Sequence, residues 1–149
     1  MLTVRPLDSL EQTGAEMLRL AVTYAHDMLP HIDKGPEDLF VFMREIPYRE
    51  DPVDQEWVQR PSKTLDHDSL HGDCDDKAIC VGAWAALRGY PFRFVALRNF
   101  HRSVVHHVVA DVHFPKSGWT RMDVTYPQNT MGSRVPYAEE LILAEWNPS

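Results

Sequence analysis

Apolar residues in the first part of the chain recur every three to four positions, which is the spacing of amphipathic helices. Ser9 and Gln12 have the spacing of a capping box, and the helix they open is predicted to end before Pro30. A second, shorter helix is predicted to end at Pro47 and to pack beside the first. The N-terminal helices are therefore expected over residues 9–46. Their apolar positions are Leu18, Ala21, Val22, Ala25, Met28 and Leu29, then Leu39, Phe42, Met43 and Ile46.

The segment from Cys74 to Gly89 has almost no polar face after its first turn. A helix of this kind is typical of a core that covers it on most sides. Gly89 suits the position just after a helix end, and Arg88 suits the last turn. The segment is therefore predicted to be the central helix of the core.

Three strand-like segments follow, at residues 92–98, 104–114 and 119–125, and the last two are joined by the tight connection Pro-Lys-Ser-Gly. The segment at about 136–146 is predicted to close the chain as a C-terminal helix. Helices followed by an antiparallel meander predict an α+β fold, with the central buried helix packed against the sheet.

Length and charge limit the kind of protein. A chain of 149 residues that is 44% hydrophobic suits one domain, residues 1–149. Its 22 acidic and 15 basic residues give a formal charge of −7 without a Lys/Arg run, which argues against a nucleic-acid partner. The longest apolar stretch is shorter than the ~20 residues of a membrane span, and the N-terminus lacks a signal-like apolar region. We therefore expect no membrane partner and no export through a cleaved signal.

Cys74 is predicted to lie in the first turn of the core helix. The positive end of a helix favours a thiolate, which can lower a cysteine pKa from ~8.5 into the range of ~3.5–7.5. Backbone N–H groups at the same end can stabilise an oxyanion. Cys80 is about 9 Å further along the helix axis, beyond the ~7 Å limit for a disulfide, so two free thiols are expected.

A cysteine nucleophile needs a base, and the base needs a partner that orients it. The second strand offers His106 and His107, and the third offers Asp123, so neighbouring strands could complete a Cys, His, Asp site. Strand alternation places His106 on the more apolar face, which periodicity alone would turn towards the core helix. A sheet covered on both faces would remove that preference. The residues by themselves leave the choice open.

The motifs in order along the chain resemble a known family. They are GDCDDKAICVGAWAALRGYPFRFVALR, then HHVVADV, then GWTRMDVTYP. Over residues 46 to 127 this combination resembles the transglutaminase-like superfamily of papain-type cysteine enzymes. Its pattern is a Gly-x-Cys helix start, a helix ending in Gly-x-Pro, a His-led strand and a Trp four residues before an Asp. A segment like VQRPSKTL before GDCDDKA is similar to small transglutaminase-like proteins of bacteriophages.

The resemblance implies a papain/transglutaminase-like fold with Cys74 as nucleophile, His107 as general base and Asp123 as its orienting partner. His107 is preferred to His106 because the family places its histidine four residues before an acidic residue. Papain-type sites often use an upstream glutamine as an oxyanion donor. The resemblance thereby suggests Gln59 for that role, with Gln55 in reserve, and it implies no cofactor.

Such a site forms a thioester from an amide or ester. The expected reaction is hydrolysis of a peptide, isopeptide or related amide bond in a protein or peptide substrate, with amine transfer, as in a true transglutaminase, as a further alternative. A different hypothesis is a phage structural or assembly protein, at the head–tail junction or tail, whose partners are other virion proteins and whose site is idle or partner-dependent. The expected location is then the host cytoplasm or the virion.

The same residues also have interpretations that involve no catalysis. Free cysteine is among the most buried residue types, so Cys74 taken alone would more often be a packing residue. Asp73, Asp75 and Asp76 suit a helix N-terminus, and they oppose a thiolate by like-charge repulsion. His67, His71 and Cys74 could be imagined in a zinc site, but their spacing matches no standard finger, so no metal is expected.

Overall fold

The computed structural model describes residues 7–49, 58–66, 72–101 and 107–149. The described part is an α+β fold in which helices pack on a four-stranded sheet, as the pattern predicted. Its helices are α1 (Leu7–Thr23), a 3₁₀ helix (Ala25–His31), α2 (Pro36–Arg44), α3 (Pro61–Thr64) and α4 (Cys74–Arg88). Its strands are β1 (Phe92–Arg98), β2 (His107–Phe114), β3 (Gly118–Met122) and β4 (Glu139–Trp146).

The N-terminal helices are present, but their ends differ from the prediction. α1 already includes Ser9, so the capping box assigned to that residue is wrong. α1 ends at Thr23, and the apolar stripe continues in a 3₁₀ helix that contains Pro30. A proline that lacks an N–H fits this short, tighter turn more easily than the interior of a long α-helix.

α4 is the buried core helix that the sequence predicts. Asp73 is its N-cap and forms a capping box with Asp76, with reciprocal backbone hydrogen bonds of 3.2 Å. Gly89 ends the helix in the left-handed conformation, with φ of 77°. All residues from Cys74 to Ala85 are buried. Among the described helices, α4 included, none combines the length and apolarity of a membrane span.

The sheet has the order β3-β2-β1-β4, and all neighbouring strands are antiparallel. β1 matches the first predicted strand, and β2 and β3 form the predicted hairpin. Residues 104–106, predicted as the start of the second strand, lie outside the described residues. β3 ends at Met122, so Asp123 follows the strand directly.

The C-terminal helix predicted over residues 136–146 is wrong, because Glu139–Trp146 forms the edge strand β4. β4 pairs with β1 from Phe92 opposite Trp146 to Arg98 opposite Glu139. Its glutamates, leucines and alanine have good helix propensity. The backbone edge of β1 outweighs that preference, since a strand can pair with its N–H and C=O groups and a helix cannot.

The sheet carries apolar clusters on both faces. One face of β2 packs into the core that contains α4, through Val108, Ala110 and Val112. The opposite face carries a second cluster of Val95, Leu97 and Val109, against which Tyr137 packs. The face of β2 that packs on α4 is therefore the one that periodicity predicts. Because the opposite face is also partly covered, apolarity alone does not decide between His106 and His107, and that choice stays a prediction.

Gly82 lies where α4 packs against β1. A Cβ atom at this position would come within 2.8 Å of Phe92 Cε2 and 2.9 Å of Phe94 Cζ. We expect Gly82→Ala to lower the free energy of unfolding by about 1–3 kcal/mol, because overpacking outweighs the better helix propensity of alanine. Urea denaturation measures the change.

Gly35 provides the control for this substitution. Nothing lies within 4 Å of a Cβ built at Gly35, which is the N-cap of α2. Gly35→Ser adds a good capping side chain in open space and should leave stability equal or slightly higher. A Gly82→Ala variant as stable as the unmodified protein would show that Phe92 and Phe94 can move to make room for a methyl group at this position.

Candidate active site

Cys74 is the first residue of α4 and is 1% exposed. Its thiol donates to Asp75 Oδ1 at 3.2 Å. The sulfur also accepts a hydrogen bond from the backbone N–H of Val108, the residue after His107. The N-terminal end of α4 therefore meets the start of β2.

The environment of Cys74 favours the protonated thiol. Burial raises the pKa of Cys74 well above its usual value, and the carboxylates of Asp75 and Asp73 raise it further. The hydrogen bond from Val108 acts in the opposite direction. This outcome differs from the lowered pKa predicted from the helix end alone, because complete desolvation and two like charges outweigh a partial dipole charge.

His107 and Asp123 form a hydrogen-bonded pair. His107 Nε2 lies 3.0 Å from Asp123 Oδ2, and the two side chains are 3% and 12% exposed. His107 begins β2 and Asp123 directly follows β3, so the β2–β3 hairpin places the two residues side by side. Burial acts to raise the pKa of Asp123, but the hydrogen bond and charge of His107 leave it lower than usual. The Asp123 carboxylate is therefore ionised and able to orient the imidazole.

Two tyrosines that the sequence did not single out flank this region. Tyr126 stacks on the His107 ring with centroids 5.6 Å apart, and its residue is 40% exposed. The Tyr48 ring lies 6.5 Å from that of Tyr126, and Tyr48 forms a β-bridge with Gly72, two residues before Cys74. Tyr126 stands in the MDVTYP motif and could have been noticed there, whereas no sequence pattern marks Tyr48.

Gln59 lies beside the start of α4, but its donors are used within the protein. Its backbone N–H and its side-chain amide donate to Asp76 at 3.0 and 3.2 Å, and the amide also donates to Thr64 at 3.3 Å. These contacts attach the chain before α3 to the capping box of α4. The oxyanion role of Gln59 stays a prediction. Gln55 and His106, the alternatives for two site roles, lie outside the described residues.

Two of the acidic residues around Cys74 cap the N-terminus of α4. Asp73 and Asp76 cap α4, and burial followed by the charge of Asp73 raises the pKa of Asp76 to about 9. Within residues 7–49, 58–66, 72–101 and 107–149, no group of three or more His, Cys, Asp or Glu side chains is placed to hold a metal ion. His67 and His71, which the zinc alternative invoked, fall outside these ranges.

We expect Asp75→Asn to move the pH dependence of Cys74 alkylation to lower pH. The substitution removes a negative charge that raises the pKa of the thiol, so the thiolate fraction at neutral pH increases. The rate of iodoacetamide alkylation at pH 7, followed by mass spectrometry, should rise severalfold. Asp38→Asn, on the exposed first turn of α2, is the control and should leave the profile unchanged. An unaltered profile in Asp75→Asn would mean that the Asp75 charge does not act on the sulfur.

Comparison with known proteins adds to this geometry. The structure is similar to a solved structure of EGTA-treated LapG from Legionella pneumophila, with a TM-score of 0.53 and 15% sequence identity over 98% of this chain and 84% of the LapG chain. At that identity the likeness shows the fold alone. A search of curated proteins found no match. The model of the transglutaminase-like superfamily matches residues 32–124, well over half of the chain and the whole span from Cys74 to Asp123. This chain belongs to the transglutaminase-like superfamily.

Proposed function

We propose that this protein is a cysteine-dependent acyl-transfer enzyme that hydrolyses a peptide, isopeptide or related amide bond in a protein or peptide substrate. Cys74 is the nucleophile, His107 the general base and Asp123 its orienting partner. The observation that supports the proposal most is the buried 3.0 Å contact between His107 and Asp123, at the strand start that Cys74 contacts through Val108. Membership of the superfamily supports the same assignment.

The proposed chemistry begins at the two nitrogens of His107. Asp123 accepts the Nε2 proton, so the lone pair of Nδ1 is the one that takes the thiol proton as the Cys74 sulfur attacks the acyl carbon. A C–S bond forms, and the carbonyl π electrons move to the oxygen. Backbone N–H groups in the first turn of α4 are the donors we propose for that oxyanion. The N–H of Asp76 is excluded, because it already donates to the Asp73 carboxylate.

The second half of the reaction releases both products. The imidazolium of His107 protonates the leaving amine, the C–N bond breaks, and a thioester remains on Cys74. Water then loses a proton to His107 and attacks the thioester, which yields a carboxylic acid and restores the thiol. If a primary amine takes the place of water, the product is an amide, which is the transglutaminase alternative.

The thiol must exchange partners before it can react. In the described conformation it donates to Asp75, and burial holds its pKa high. We therefore interpret this conformation as a resting state, in which substrate or a partner protein brings the sulfur from Asp75 to His107.

A thiol-directed acyl probe tests the proposal. We expect a peptide thioester to acylate Cys74 faster than it acylates a small free thiol at the same pH. His107→Ala should abolish this advantage, whereas Cys80→Ala, which changes the other buried thiol, should preserve it. Labelling of Cys74 at the rate of a free thiol, with no effect of His107→Ala, would refute an enzymatic site. Adding a fluorescent primary amine separates the two reactions, since amine transfer incorporates the label and hydrolysis does not.

The second candidate is an assembly module whose site is idle until a partner binds. The complete burial of Cys74 and its raised pKa favour this candidate, because they describe an unreactive thiol. The partners we expect in this case are virion proteins of a bacteriophage. Size-exclusion chromatography with such proteins tests the idea. A stable complex together with an inert Cys74 favours assembly, and a reactive Cys74 without a complex excludes it.

A further inference from the structure

Lys77 is a buried cation that the proposed chemistry does not use. It lies one turn after Cys74 on α4 and is 1% exposed. Its Nζ donates to the carbonyl oxygen of Ile46 at 2.6 Å and to that of Val124 at 3.2 Å. A lysine is almost never fully buried unless its charge is compensated, because desolvation of an ammonium is costly. The burial of Lys77 therefore indicates that its charge has a specific role.

The two carbonyl groups belong to segments that lead into the candidate site. Val124 is the residue after Asp123, which bonds His107. Ile46 precedes Pro47, whose carbonyl accepts the backbone N–H of Gly72 at 3.2 Å, and Gly72 leads into Cys74. One ammonium group thus joins the turn of α4 that carries Cys74 to the chain beside Asp123.

The charge of Lys77 allows it to make both of these contacts. Burial lowers the pKa of Lys77 to about 8, and the negative charge of Asp123 acts against that shift. The other groups that influence Lys77 are Cys80 on the same helix and Glu45 after α2. At neutral pH Lys77 therefore remains mostly protonated and able to donate to both carbonyl groups.

We propose that Lys77 is a positioning residue of the Cys74, His107 and Asp123 site. It holds the main chain at Val124 against α4, and thereby sets where the Asp123 carboxylate holds the His107 ring relative to the sulfur. Lys77 acts through the backbone beside Asp123 and does not itself contact substrate. The inference rests on the proposed function.

Arg88 provides a matched control at the other end of α4. Its Nη1 also donates to two backbone carbonyl oxygens, those of Ile32 at 2.8 Å and Lys34 at 3.0 Å. The two residues thus make the same kind of contact from the same helix, but Arg88 lies about four turns after Cys74. Loss of stability should be common to both substitutions, and loss of site geometry should be confined to Lys77.

The experiment compares Lys77→Met with Arg88→Met. Acylation of Cys74 is measured against concentration of the acyl probe, well below the melting temperature of each variant. We expect Lys77→Met to lower the rate at saturation at least tenfold and to change the half-saturating concentration less than twofold. Arg88→Met should lower the melting temperature and leave both kinetic values within twofold of the unmodified protein.

A second readout does not depend on chemistry. The ring N–H of His107 that is bonded to Asp123 should give a downfield proton resonance, assigned by its absence in His107→Ala. We expect this resonance to shift or broaden in Lys77→Met and to persist in Arg88→Met. If Lys77→Met does not fold, Lys77→Gln, which keeps an N–H donor on a shorter side chain, replaces it with the same expectation.

Two results would overturn the inference. One is a Lys77 variant with an unchanged resonance and a saturating rate within twofold of normal. The other is an equal loss of rate in Arg88→Met, which would show that Lys77 contributes only stability. If the unmodified protein itself shows no enhanced labelling, the proposed function fails, and the resonance alone decides whether Lys77 holds the His107–Asp123 pair.

Discussion

Asp123→Asn is expected to slow acylation of Cys74 by about 10²–10⁴-fold, the range lost when a general base is no longer correctly oriented. An asparagine amide can donate to His107 Nε2, where the carboxylate accepts at 3.0 Å. That reversal favours the tautomer that is protonated at Nδ1, which cannot take the thiol proton. The rate of probe acylation at saturation measures the effect, and the circular dichroism spectrum should remain unchanged.

Glu140→Gln is the control for the loss of a carboxylate charge. Glu140 lies on β4 and accepts from Arg121 at 2.8 Å, so it belongs to a different ion-pair group from His107. Its substitution should change the acylation rate less than twofold. An Asp123→Asn variant that reacts like Glu140→Gln would remove Asp123 from the mechanism and leave the pair with a structural role.

Arg121→Met is expected to lower the free energy of unfolding by about 3–5 kcal/mol, because it leaves a buried carboxylate without its main partner. The side chains of Arg121 and Asp111 are 2% and 1% exposed, and two hydrogen bonds of 3.0 and 3.2 Å join them across β2 and β3. Arg93 and Arg134 also approach Asp111, but at 3.6 Å they are too distant to replace those bonds. Urea denaturation monitored by tryptophan fluorescence gives the value.

Two further variants test the cause of that loss. In Asp111→Val with Arg121→Met both charges leave together, so much of the stability should return. The exposed pair of Glu16 and Arg19, 2.6 Å apart with side chains 43% and 52% exposed, is the surface control. Glu16→Gln should cost less than about 1 kcal/mol, since solvent screens that pair. If Arg121→Met were as stable as Glu16→Gln, other groups would have to compensate the Asp111 charge in the absence of Arg121.

The elements that the sequence predicted well are those with strong local signals. α4 begins and ends where the Cys74 and Gly89 signals place it, because capping and a left-handed glycine act within a few residues. β1 matches its predicted residues, and the hairpin of β2 and β3 forms at the predicted connection. The choice of His107 and Asp123 came from the family resemblance, and the structure places these two side chains in hydrogen-bond contact.

The sequence by itself therefore determined the core helix and the hairpin, since each depends on neighbours close along the chain, whereas the candidate residues rested on the family resemblance. Only the tertiary structure decided that residues 139–146 form a strand, because the edge of β1 lies more than 40 residues earlier. The tertiary structure also decided that the Cys74 thiol is protonated, because its pKa depends on complete burial and on Asp75 rather than on the helix end alone. Lys77 and Gln59 make contacts with distant segments that leave no periodic pattern in the sequence. Only the tertiary structure shows these contacts.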